Sequence, residues 1–141
     1  DITNIEILRG KVTYNSATVV TKLYILGLTA QWEDVGPSIT ELIQVNGKCT
    51  TLGFVTGRIV QVGGELYRKF SGGSDAAIWQ FGGVLKMGSG ITISTYYLVG
   101  GVLDTFSVSC QKTITNLYRF PNGEIIRSRE LTITTEVVIG E

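Results

Sequence analysis

Apolar and polar positions alternate along most of the chain, in short runs rich in Val, Ile, Thr, Tyr and Phe. Gly or Asn-Gly separates these runs, as in strands that are joined by tight turns. Residues 18–32 differ because both of their alternating sets are apolar, so we expect neighbours to cover both faces. Residues 37–45, which begin with a proline, form the one window that suits a short helix. The pattern predicts an all-β protein of about eight to ten strands.

Four dipeptides are candidates for hairpin turns: Asn46-Gly47, Gly63-Gly64, Gly100-Gly101 and Asn122-Gly123. Gly100-Gly101 suits a type I′ turn best, because both of its residues can adopt positive φ. The resulting hairpin places Ile91 opposite Cys110 and directs Cys110 into the core, with Tyr96 on the polar face and Tyr97 toward the core. Consecutive strands are therefore expected to be antiparallel.

We expect residues 1–141 to form a single all-β domain, because no linker, low-complexity tract or repeat of fixed period is apparent. The predicted fold is an antiparallel β-sandwich, with a closed β-barrel as the alternative, since both architectures protect sheet edges. Residues 1–9 are β-prone and terminal, and they are predicted to exchange with the sheet edge of a neighbouring copy.

Charge and residue types exclude several function classes. Twelve basic and twelve acidic residues leave no net charge, so a nucleic-acid partner is not expected. No apolar run approaches the roughly 18 residues of a membrane span, which predicts no transmembrane segment. The chain contains no histidine. We therefore expect no enzymatic activity of the common His-dependent kinds, no metal site and no cofactor.

The two cysteines, Cys49 and Cys110, are too far apart in sequence for a CxxC metal or redox motif. A disulfide between them is predicted for an oxidising compartment, and two buried free thiols are the alternative. The chain begins at Asp1 without an initiator methionine, which suits a mature secreted product. The expected location is therefore extracellular.

The mean hydropathy of +0.24 is high for a β domain that has one face in water. Few charges combined with apolar surface are typical of assembly interfaces. The first functional hypothesis is a non-enzymatic, secreted structural subunit that self-assembles through strand or sheet contacts into an extracellular filament, coat or oligomer. Its expected partner is itself. Strand addition of this kind is used by pilus subunits, to which the likeness is one of general architecture.

A second hypothesis is a lectin-like module with glycans as partners, in which aromatic rings stack on a sugar and carboxylates bind its hydroxyls. One acidic and one aromatic candidate follow residues 70–74, a Gly- and Ser-rich stretch. The candidate ligand-binding residues are Trp32, Asp34, Asp75, Trp79 and Tyr96. A third hypothesis is a β-barrel carrier for a small apolar ligand.

Overall fold

The structure is a computed structural model that describes residues 1–69, 74–88, 90–106 and 110–140. Within these ranges the regular structure consists of β-strands, and every pair of hydrogen-bonded strands is parallel. None of the described segments forms a helix long and apolar enough to cross a membrane. The strands are β1 (Ile2–Ile7), β2 (Gly10–Tyr14), β3 (Val20–Ile25), β4 (Ala30–Asp34), β5 (Ile39–Gln44), β6 (Lys48–Thr51), β7 (Val55–Gln61), β8 (Glu65–Arg68), β9 (Ser74–Gln80), β10 (Val84–Met87), β11 (Thr92–Asp104), β12 (Lys112–Ile126) and β13 (Leu131–Val138).

The strands wind into a parallel β-solenoid of about seven coils. Each coil contributes one strand to a first layer, which runs from β1 through β3, β5, β7 and β9, and one to a second layer, which runs from β2 through β4, β6, β8 and β10. The long strands β11 and β12 bend around the corner and contribute to both layers. The last strand, β13, pairs with β12 and extends the first layer.

A six-residue pattern specifies the first-layer strands. Its first, fourth and sixth residues point inward, and the second is usually Thr or Ser. The pattern recurs at residues 2–7, 20–25, 39–44, 93–98, 114–119 and 133–138. Two successive outward residues interrupt the simple alternation of a strand, and they do so at the same point in each coil. Because the pattern repeats, inward side chains of successive coils stack on one another and form continuous rows in the core.

Inward side chains from both layers pack into one core. Large members such as Trp32, Leu42, Ile59 and Tyr96 are at most 1% exposed. Burial of this kind, at about 25 cal/mol per Å² of apolar surface, is the main term that favours the folded chain. Because side chains fill the interior, a β-barrel that carries an apolar ligand in its lumen does not describe this fold.

The predicted antiparallel sandwich and its closed-barrel alternative are both wrong. The hairpin prediction failed at Gly100-Gly101, which lies inside β11, where the chain turns a corner and continues in the same rotational direction. This corner of the solenoid uses positive φ, and Gly101 has a φ of +81°. A glycine pair therefore marks a change of direction without specifying whether the next strand returns beside the last one. The predicted helix at residues 37–45 is also wrong, since most of it forms β5.

The predicted disulfide is wrong as well, because Cys49 and Cys110 are not bonded to each other. Cys49 is buried on β6 in the third coil, whereas Cys110 precedes β12 in the seventh coil. Neighbouring strands are about 4.8 Å apart, so several coils separate the residues by more than the roughly 7 Å that a disulfide permits between Cα atoms. Burial raises the pKa of the Cys49 thiol, and the Asp34 carboxylate raises it further, so the thiol stays protonated.

Candidate functional site

The outer surface of the first layer carries two neighbouring rows of apolar side chains, which together we call the apolar face. Each row has one residue per coil, from the first coil to β13. The central row contains Glu6, Tyr24, Ile43, Val60, Trp79, Tyr97, Tyr118 and Val137. The corner row, two residues further along each strand, contains Leu8, Leu26, Val45, Val62, Phe81, Val99, Phe120 and Ile139. Glu6 is the one charged residue of these sixteen.

Aromatic rings are stacked along the central row. The ring centroids of Trp79 and Tyr97 are 3.7 Å apart with an interplanar angle of 13°, and those of Tyr97 and Tyr118 are 5.1 Å apart. Phe81 in the corner row lies 6.3 Å from Trp79 and nearly parallel to it. Parallel in-register strands place identical positions about 4.8 Å apart, which brings aromatic rings into stacking contact. The rings therefore form a rigid, ordered surface.

The corner row is the most exposed part of the apolar face. Phe81 and Val62 are each 49% exposed and Val45 is 41% exposed, which is unusual for apolar side chains held in one continuous row. Contiguous apolar surface of more than a few hundred Å² is rare on monomeric proteins and marks an interaction site.

The outer surface of the second layer is different, because charged and polar residues line it. Lys11 and Glu33 form an ion pair of 3.0 Å, and Lys48 lies 3.9 Å from Glu65. Charged side chains of opposite sign on neighbouring strands are typical of a solvated sheet. The two outer surfaces of the solenoid are thus chemically distinct, and only that of the first layer is apolar.

A buried glutamine row holds the corner beneath the apolar face. Gln44, Gln61 and Gln80 occupy the same inward position in three successive coils. The amide nitrogen of Gln61 donates to the Gly64 carbonyl and to the Val84 carbonyl, at 3.2 and 3.0 Å. The other two amides bind the corresponding carbonyls of their own and the next coil. In each corner the glycine carbonyl also accepts a backbone N–H of the next coil, so the amide bonds reinforce a contact between coils and hold the corner row in place.

Four of the five residues predicted to bind sugar lie inside the solenoid or at its buried corners. Trp32 is 1% exposed and donates from Nε1 to Oδ2 of Asp34, at 2.8 Å. Asp34 also accepts from the backbone N–H of Leu52, at 2.9 Å, and thereby links two successive corners. The Tyr96 hydroxyl donates to Oε1 of Gln80 at 2.5 Å, and burial raises the pKa of this phenol.

Asp75, the fourth of these residues, forms a buried ion pair with Arg68. Both side chains are 1% exposed, and the guanidinium donates to both carboxylate oxygens, at 2.7 and 2.8 Å. Arg68 also donates to the carbonyls of Thr51 and Gly53, and Asp75 accepts from the N–H of Val55. The pair therefore joins the corner after β6 to the corner after β8.

Trp79 is the one predicted sugar-binding residue on the outer surface. Its ring lies between Val60 of the preceding coil and Tyr97 of the following coil, so its edge, rather than its face, is presented outward. Residues 70–73 of the predicted binding loop lie outside the described residues. The five candidates do not share a surface, and carbohydrate binding stays a prediction.

The central row should contribute to stability through its ring contacts. We expect Tyr97→Ala to lower the free energy of unfolding by about 1–3 kcal/mol, because Tyr97 stacks on two rings and each aromatic pair contributes about 0.5–1.5 kcal/mol beyond its buried area. Urea denaturation measures the loss. Tyr97→Phe keeps the ring, so its free energy of unfolding should equal that of the original chain. Equal stability of the alanine variant would contradict the stacking role.

The second layer carries a surface depression of about 340 Å³. It is lined by both polar and apolar residues, among them Thr13, Glu33 and Leu52. Across the ranges that the structure describes, no group of three or more Cys, Asp or Glu side chains could hold a metal ion. The apolar face is therefore the surface feature that most needs a functional account.

Comparisons of the chain with protein-family models, with curated proteins and with solved structures found no match.

Proposed function

We propose that the chain is a non-enzymatic structural subunit that self-assembles through contacts of its outer sheet surface. The observation that carries the proposal is the apolar face, in which fifteen of sixteen outward residues over the whole length of the solenoid are uncharged and almost all are aliphatic or aromatic. Such a surface has the composition of a protein core, and permanent interfaces between subunits have the same composition. Secretion, and assembly into a filament or coat, stay predictions.

The construction of the solenoid supports a structural role. Stacked rings, glutamine amides and a buried ion pair hold consecutive coils together, so the outer surface changes little in shape. A rigid surface loses little conformational entropy when it binds. Self-association through one flat, ordered face is therefore favoured over folding of a flexible segment on a partner.

Substitution of Val62 by lysine tests the proposal. Val62 is half exposed in the centre of the corner row, so the change leaves the core intact and places a charge in the proposed interface. We expect Val62→Lys to weaken self-association by about a hundredfold or more, because an unpaired buried charge costs about 3 kcal/mol or more. Sedimentation at several micromolar concentrations would show a shift to the monomer mass.

A matched control lies on the opposite surface. Val84 is also an outward valine, but it lies on β10 in the second layer, between charged neighbours such as Lys86. Val84→Lys should leave the mass distribution unchanged, and circular dichroism should be the same for both variants. A monomeric original chain, or equal effects of the two substitutions, would contradict the proposal.

A further inference from the structure

The apolar face is graded in size along the solenoid axis. Its N-terminal half, as far as Val60 and Val62, is mainly aliphatic. Five of its six aromatic residues lie in the C-terminal half: Trp79, Phe81, Tyr97, Tyr118 and Phe120. The C-terminal half therefore has five rings and three aliphatic side chains, whereas the N-terminal half has one ring, Tyr24.

We propose that the occupant of the apolar face is a second copy of this chain, packed face to face with its solenoid axis antiparallel to the first. This inference rests on the proposed function and adds the geometry of the contact. A two-fold axis across the middle of the face, between the fourth and fifth coils, closes the assembly as a dimer, because the same patch is used on both copies. When all eight residues of each row overlap with the same row of the second copy, Val60 lies opposite Trp79 and Val62 lies opposite Phe81.

The size gradient favours the antiparallel arrangement. Antiparallel copies place the ring-rich half of one against the aliphatic half of the other, for example Ile43 opposite Tyr97 and Leu26 opposite Phe120. Two pairs join identical residue types, Tyr24 with Tyr118 and Val45 with Val99, but the largest rings, Trp79 and Phe81, each meet a valine. Parallel copies would place every residue against its own copy, so the largest rings would meet rings and the valines would meet valines. The thickness would then differ most between neighbouring levels, and the gaps would forfeit dispersion contacts, whereas stable interfaces are packed as densely as protein interiors.

The neighbouring polar row supports the same arrangement. It lies beside the central row and contains Asn4, Lys22, Glu41, Arg58, Ala77, Thr95, Asn116 and Thr135. In the antiparallel dimer its charged residues meet uncharged ones: Lys22 meets Asn116, Glu41 meets Thr95 and Arg58 meets Ala77. Glu41 and Arg58 remain paired within each copy at 2.7 Å. No like charges meet, so repulsion does not oppose association.

The extent of the surface is sufficient for a stable dimer. The central, corner and polar rows together provide 24 residues on each copy. Specific interfaces of ordinary size use about 20–30 residues on each side, with an apolar centre and a polar rim. The corner and central rows would form that centre, and the polar row would lie at its rim.

Single-cysteine crosslinking of the full chain tests the geometry. In a Cys49→Ala, Cys110→Ser background, cysteine replaces Val45, Val62 or Val99, and a short bismaleimide is the probe. In the antiparallel dimer Val62 of each copy lies about 4.8 Å along the axis from its mate, and Val99 lies about 14 Å from its mate. Val45 lies directly opposite Val99 of the second copy. We therefore expect V62C to crosslink with itself, V99C alone not to do so, and a mixture of V45C and V99C to form the heterodimer.

The outcomes separate the two proposals. Equal crosslinking of V62C and V99C with themselves, with no V45C–V99C heterodimer in the mixture, would mean parallel copies, so it would overturn this inference and leave self-association intact. A monomer in sedimentation, or a dimer in which none of the three products forms, would overturn both proposals. Circular dichroism of each variant confirms that the crosslinking result refers to a folded chain.

Discussion

Replacement of Arg68 by methionine is expected to lower the free energy of unfolding by about 3–5 kcal/mol, because it leaves the Asp75 carboxylate buried without its cation. Methionine fits the site, since Met87 occupies the same inward position in the next coil. The loss would appear as a lower midpoint of urea denaturation with an unchanged slope.

The double variant Arg68→Met/Asp75→Ile distinguishes charge burial from simple loss of contacts. Isoleucine at position 75 copies the next coil, where Ile93 is the equivalent residue. We expect the double variant to be more stable than Arg68→Met alone, because no charge remains buried. It should not recover fully, since the Thr51 and Gly53 carbonyls and the Val55 N–H lose their partners. A double variant no more stable than the single one would refute this account of the pair.

The second large effect is expected at a corner glycine. Gly64 has a φ of +82°, and a Cβ atom there would lie 2.5 Å from the carbonyl oxygen of Gly47 in the preceding coil. Gly64→Ala must therefore both adopt a strained φ and separate two coils. We expect it to lower the free energy of unfolding by more than about 3 kcal/mol.

Gly10 provides a matched control for the corner substitution. Its φ is +80°, almost the same as that of Gly64, but no atom lies within 4 Å of a Cβ built there. Gly10→Ala should therefore cost only the strain of the left-handed conformation, about 1–2 kcal/mol. Urea denaturation of the two variants separates the free-energy cost of a positive φ from the cost of the close approach between coils. Equal losses would mean that the close approach contributes nothing.

Strand content was predictable from the sequence, whereas the relation between strands was not. Alternating β-branched and aromatic residues specify extended backbone in either fold. The hairpin register also reversed one pair of neighbours: it placed Tyr96 on the polar face and Tyr97 toward the core, whereas Tyr96 is buried and Tyr97 belongs to the apolar face. A shift of one residue is enough to exchange the two faces of a strand.

A repeat was present, but its period varies. Equivalent residues are 17 positions apart between Gln44 and Gln61, 19 between Gln61 and Gln80, and 21 between Leu98 and Arg119. A search for a fixed period misses such a repeat, because the corners absorb insertions while the strands do not. The useful signal was local: a Gln followed three residues later by Gly, at residues 44–47, 61–64 and 80–83.

The apolar face could be anticipated only in part. The mean hydropathy predicted more apolar surface than one core explains, but its location depends on the register of the coils. Trp79, Tyr97 and Tyr118 are about 20 residues apart in sequence, and only in-register parallel pairing brings them into one stack. Residues remote in sequence can be assigned to one surface only after the coil length is known.

Pairing between consecutive coils also bears on how the chain folds. Each strand of a layer meets a strand about 19 residues away, so in a chain of 141 residues the relative contact order is about 0.13, below that of most sandwiches. Among the described strands, no pairing needs the two ends of the chain to meet. Order can therefore begin in the central coils, where the ion pair and the glutamine row lie, and spread outward one coil at a time. Local unfolding would begin at the outermost coils and proceed inward, so the amide hydrogens of those coils should exchange first.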